Sequence, residues 1–103
     1  MTYETLESIL RVTGFPITYH HWATPPQPPY LIYLDDYTDN FGADDAVYHE
    51  VTHFLIELYV LQRDRDLERK VEAALDAAGL YWNRISAYIE EEGLYQLSYE
   101  IEV

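Results

Sequence analysis

Residues His49, Glu50 and His53 spell HExxH inside the stretch AVYHEVTHFLIELYV. In zinc hydrolases that use this pattern, the two histidines hold the metal and the glutamate takes the proton from its bound water. The chemistry needs a helix, because only there do residues four apart stack on one face, about 6 Å from each other, and grip the same ion. On a strand the same two residues stand roughly 13 Å apart along the chain. A third ligand is on offer at Glu72, in EAALD at 72–76, which reproduces an ExxxD element that supplies the last ligand in one group of zinc proteases. The reaction class would then be metal-assisted hydrolysis, with His49, His53 and Glu72 as ligands and Glu50 as base.

Few other residues offer chemistry. His20 and His21 are adjacent, and on a strand neighbours point to opposite faces, so at most one could join a metal site. With no cysteine, disulfides, thiolate metal sites and cysteine nucleophiles are excluded. Ser8, Ser86 and Ser98 lie outside any GxSxG turn, and four glycines form no phosphate-binding loop. The aspartates of DDYTDNFGADD, residues 35–45, do not follow the EF-hand order in register. Paired carboxylates abound, but among 19 acidic residues pairs specify nothing.

The conformation of residues 46–61 therefore decides the chemistry. Val47, Val51, Phe54, Leu58 and Leu61 repeat at helical spacing. Against this, half of the segment is β-branched or aromatic. From Phe54 onward, Phe54, Ile56, Leu58 and Val60 alternate with Leu55, Glu57, Tyr59 and Leu61, which is the period of a strand. A protease of this type also needs a substrate-binding sheet, two helices and a cleft, for which 103 residues leave little room. The strand is the better reading.

The elements around it are plainer. Thr2 caps a helix running to about Val12 with Leu6, Ile9 and Leu10 on one side, and Gly14 and Pro16 stop it. ITYHHW reads as a short strand, PPQPP at 25–29 as a stiff connector, YLIYLD as a strand, and residues 35–45 as a loop. Asp64 or Asp66 caps a second helix with Leu67, Val71, Ala74, Leu75 and Ala78 along one face, ended by Gly79. Asn83, Ile85, Ala87 and Ile89 share one face of a strand, EEEG at 90–93 turns the chain, and Leu97, Tyr99, Ile101 and Val103 share one face of the last strand. The order α-β-β-β-α-β-β predicts a single α+β domain over 1–103, with an antiparallel sheet of about five strands and both helices on one face.

Net charge is -13, from 19 acidic and 6 basic residues. Such a field repels phosphate backbones, which argues against gripping DNA or RNA and suits a basic partner, a pore through which DNA slides, or a decoy that mimics DNA. Eleven tyrosines suit a sheet and protein interfaces. No apolar run reaches membrane-spanning length and the acidic start MTYETLESILRVTG is unlike a signal peptide, so the sequence predicts a soluble protein made in the cytoplasm.

Taken together, TGFPITYHHW, PPYLIYL, NFGADD, FLIELYV, DLERKVEAAL and YIEEEGLYQLSYEIEV resemble a family of small siphophage and prophage proteins of Gram-positive bacteria, similar to tail terminator, or tail-to-head joining, proteins. The resemblance runs from about Leu6 to Val103 and includes no catalytic motif. It implies an α+β structural protein without enzymatic activity or cofactor, placed in the virion at the tail–head junction. It further implies a hexameric ring that caps the tail tube, meets the tube protein and the head connector or completion protein, and lets genome DNA pass without specific binding. Six copies at -13 each would carry -78, and acidic groups facing a lumen would keep DNA mobile. A head-completion or connector component is the neighbouring alternative. Ring closure needs two different complementary patches. The candidate contact residues are Tyr37, Asp39, Asn40, Phe41, Asp44 and Asp45, aromatic rings within an acidic segment.

Overall fold

The computed structural model describes residues 2–43 and 46–102, with side chains described outside 36–43 and 46–52. Along the chain run α1 (Tyr3–Arg11), β1 (Ile17–Tyr19), β2 (Tyr30–Ala43), β3 (Ala46–Val60), α2 (Arg65–Ala77), β4 (Trp82–Ile89) and β5 (Leu94–Glu102).

Local chemistry sets the helix ends. The Thr2 hydroxyl accepts from the Thr5 N–H at 3.1 Å, and Glu4 and Arg11 sit at the ends of α1 where the helix dipole favours them. Gly14 takes φ +79°, the left-handed turn that frees the chain from α1. The Asp64 carboxylate caps α2 by accepting from the Asp66 N–H at 2.9 Å. Gly79, at φ +73°, closes α2, with Leu80 N–H donating back to the Leu75 carbonyl at 3.0 Å.

The five strands form one sheet in the order β1-β2-β3-β5-β4. All pairs are antiparallel except β1 with β2, which are parallel, so the sheet is mixed at one edge. Parallel neighbours need a crossover, and residues 20–29, containing PPQPP, supply it. The strand expected over 17–22 stops at Tyr19: the His20 N–H still donates to the Tyr33 carbonyl at 2.8 Å, but its φ of +69° turns the chain out of the ladder.

Both helices pack on one face of the sheet. Leu6 and Leu10 from α1 and Val71 and Leu75 from α2 meet Leu31, Ile56, Leu58, Val60, Leu97, Tyr99 and Ile101 in one core. The predicted alternation in β3 is realised: Phe54, Ile56, Leu58 and Val60 all lie buried on this face. The other face has no helix, and there Tyr30, Ile32, Tyr59 and Leu94 form a smaller cluster joined by Trp22 of the crossover.

The expected loop at 35–45 is corrected by the structure. β2 continues through Ala43 and β3 begins at Ala46, in one long hairpin. Beyond a bulge at Asp35/Tyr37, where Tyr37 pairs with His53, residues 38–43 and 46–52 pair with each other, while β1 pairs only with 31–33 and β5 only with 53–60 of β3. A two-stranded arm therefore leaves the sheet at the bulge, where ladders bend and twist. The radius of gyration is 14.9 Å and the longest dimension 50 Å, against about 13 Å for a compact domain of this length. Aspartate and glycine are turn signals only when nothing else satisfies the backbone, and here the hairpin ladder does.

Candidate functional site

The HExxH residues all lie on β3. His49 is opposite Phe41, Glu50 opposite Asn40, and His53 opposite Tyr37. With the segment extended, His49 and His53 are roughly 13 Å apart along the strand and cannot hold one ion. His53 is buried at the base of the arm, 3.6 Å from Glu102 and 3.9 Å from Glu100. Glu72, the third ligand of the hydrolase reading, belongs instead to a different constellation on α2. Among the described residues, no group of three or more His, Asp or Glu side chains comes together as a metal site.

His20 and His21 are brought together, contrary to the expectation from an extended chain. Their Nδ1 atoms are 3.1 Å apart with the rings edge to face, because the positive φ at His20 turns the chain there. Both are exposed and follow β1, which β2 separates from β3 in the sheet.

Of the candidate contact residues, Tyr37, Asp39, Asn40 and Phe41 fall on the β2 strand of the arm, paired with His53, Val51, Glu50 and His49. Asp44 and Asp45 lie outside the described residues. Between Asp35 and Thr52 the sequence holds six acidic residues and no lysine or arginine. The segment that forms the arm is therefore acidic in sequence.

A buried ionic network is the feature sequence reasoning missed. Glu68 and Glu72 are fully buried beneath α2. Glu68 receives both Arg63, at 2.9 and 3.1 Å, and Arg65 at 2.6 Å. Glu72 accepts from Arg84 at 2.6 Å, Tyr99 at 2.9 Å, Arg69 at 3.0 Å and Arg65 at 3.3 Å. Four of the six basic residues of the chain are spent on two carboxylates. The signal was present: Glu68 and Glu72 fall at the same helical spacing as Val71 and Leu75, so they occupy core positions of the stripe.

The network fixes the protonation of these groups. Burial pushes the Glu68 carboxyl upward, but hydrogen bonds from Arg63 and Arg65 outweigh it and leave the group below the usual carboxylate range. At Glu72 burial also pushes upward and is outweighed by bonds from Tyr99, Arg84 and Arg69. The Tyr99 hydroxyl is held protonated, raised first by burial and then by its bond to Glu72. A carboxyl with a depressed folded-state value binds its proton more weakly in the folded chain than in the unfolded one. It therefore contributes stability above the ordinary glutamate value of about 4.3. That contribution disappears as pH falls through the depressed value. Thermal denaturation from pH 7 to pH 3 should show stability falling below about pH 4.3, with a shallower fall in Glu72→Gln.

The other open feature is β4. It pairs with β5 on one side only, at the sheet edge, and most of its side chains are exposed. Ile85, 67% exposed, lies on the helix-free face, where it projects with Asn83 and Ala87.

No protein-family model matches the chain, and no curated protein matches it. Four chains of solved structures do. One, from the virion of a native gene transfer agent (GTA) particle, superposes with a TM-score of 0.63 over 97% of this chain and 87% of its own, at 16% identity. At that identity the likeness is one of fold, and it spans the helices and the whole sheet.

Proposed function

We propose that this protein is a virion assembly protein that caps a tail tube, ends its polymerisation and joins the tail to the head connector, acting as a ring of copies. The reading rests on one observation above the rest: nearly the entire chain shares its fold with a component of a virion particle. The sequence resemblance to tail terminators and the projecting acidic arm support the same reading. In this role the protein carries out no turnover. Its surfaces hold neighbouring copies, the tube protein and a head-completion protein together, while a lumen of like charge leaves the genome mobile.

A ring of six is the expected closure, and the arm residues Tyr37 and Phe41 are assigned to contacts with a neighbour or with the tube. Replacing both by serine should leave the melting temperature within a few degrees, because the arm pairs only with itself beyond Thr38 and Thr52 among the described residues, and should weaken assembly on tube tips by tenfold or more. Electron microscopy of tube lengths reads this directly, since uncapped tubes keep growing. Tubes of normal length with the double variant would sink the interface assignment.

A further inference from the structure

We infer that the free edge of β4 receives the arm of a neighbouring copy by strand addition, so that the sheet of one subunit continues into the hairpin of the next. The inference rests on the ring reading above and names the contact that would close it.

The two surfaces each lack what the other has. A strand at a sheet edge presents a row of unpaired N–H and C=O groups, and proteins ordinarily guard such edges with proline, lysine, bulges or a covering loop. β4, with the sequence WNRISAYI, has no proline and no lysine, and its ladder to β5 runs without a bulge. Its single charged residue, Arg84, turns its guanidinium in to Glu72 at 2.6 Å. Ile85 and Tyr88 remain 67% and 53% exposed. On the donor side, an isolated two-stranded ribbon is marginal in water and gains stability from a third strand. Arm residues 38–43 and 46–52 are such a ribbon, with no third strand among the described residues. Seven arm residues extend for about 23 Å and the eight of β4 for about 26 Å, so the lengths correspond.

Charge favours the same pairing. The arm segment is acidic without a lysine or arginine, and β4 lies beside the arginine cluster, where Arg65 and Arg69 keep about half of their side-chain surface exposed. Intramolecular pairing is blocked, because β5 lies between β3 and β4. Donor and acceptor are different patches of one chain, which is the requirement for a ring and not for a two-fold dimer.

The test is complementation between two defective variants. The first lacks the donor: residues 38–52 are replaced by Asn-Gly between Tyr37 and His53, which are cross-strand partners and can be joined by a tight turn. The second lacks the acceptor: Ile85→Pro and Ser86→Pro are both made. Adjacent strand residues direct their N–H groups to opposite sides, so one of the two leaves the β5 ladder intact and keeps the wild-type melting temperature. Native mass spectrometry should show wild-type rings, monomers for each variant alone, and a one-to-one heterodimer when the armless and stable proline variants are mixed. Wild-type rings combined with an armless variant that also forms rings, or with no heterodimer on mixing, would overturn strand addition and leave the ring reading standing. A wild-type chain that stays monomeric both free and on tube tips would overturn the ring reading itself.

Discussion

Glu72→Ala should destabilise the folded protein by about 3–5 kcal/mol, the usual cost of removing one partner from a buried ionic network. Total stability of a domain this size is about 5–15 kcal/mol, so the variant would stand near the limit of folding. Glu72 is fully buried and accepts from Arg84 and Tyr99 at 2.6 and 2.9 Å. Its loss leaves the buried Tyr99 hydroxyl without its acceptor and the Arg84 guanidinium with only the Glu68 carboxylate at 3.4 Å. Tyr99→Phe removes one neutral donor and no charge, and should cost about 1 kcal/mol. Urea denaturation of the two variants separates these effects; equal costs would show that the ionic pairs add nothing beyond the tyrosine hydrogen bond.

Ile56→Ala should cost about 2–5 kcal/mol, while Leu55→Ala, one residue away, should cost about 1 kcal/mol or less. Ile56 is completely buried beneath both helices, and Leu55 is half-buried on the helix-free face. The larger loss at Ile56 follows from side chains alternating across a sheet, whereas a helix with the apolar stripe above would reverse the order. The order of the two losses therefore tests, in solution, the conformation on which the HExxH question depends. A larger loss at Leu55 than at Ile56 would fit a helix with the Val47, Val51, Phe54, Leu58 and Leu61 stripe, on which Ile56 faces away from the core, and would restore the geometry a zinc site needs.

The sequence carried most of the architecture through local signals with one physical meaning. Thr2, Gly14, Asp64 and Gly79 set the helix ends because a side-chain acceptor or a left-handed residue is needed there. Phe54, Ile56, Leu58 and Val60 disclosed a strand because one face of it is buried. The arm was illegible for a different reason. The ribbon satisfies its backbone through its own ladder, and the aspartate-rich run at 35–45, with Asn40 and Gly42, has the composition of a turn.

β1 was legible as a short strand, but its parallel pairing with β2 was not, because which neighbour a strand takes is set by the fold and not by its own residues. In the sequence reading Glu72 stands only as a third metal ligand and Glu68 has no part, although their spacing places both at core positions of the α2 stripe. For the candidate site, the sequence identified the acidic segment with Tyr37 and Phe41. It gave no sign that this segment is a projecting hairpin, nor that β4 presents an unguarded edge, because both depend on which strands become neighbours.

The most direct test of the account is native mass spectrometry of the full chain after exposure to zinc, which reads subunit number and bound metal together. The account predicts a metal-free ring, six copies being the expected closure, formed alone or on tube tips. A monomer of 12.2 kDa carrying one zinc ion, lost in His49→Ala, would contradict it and return residues 49–53 to metal chemistry.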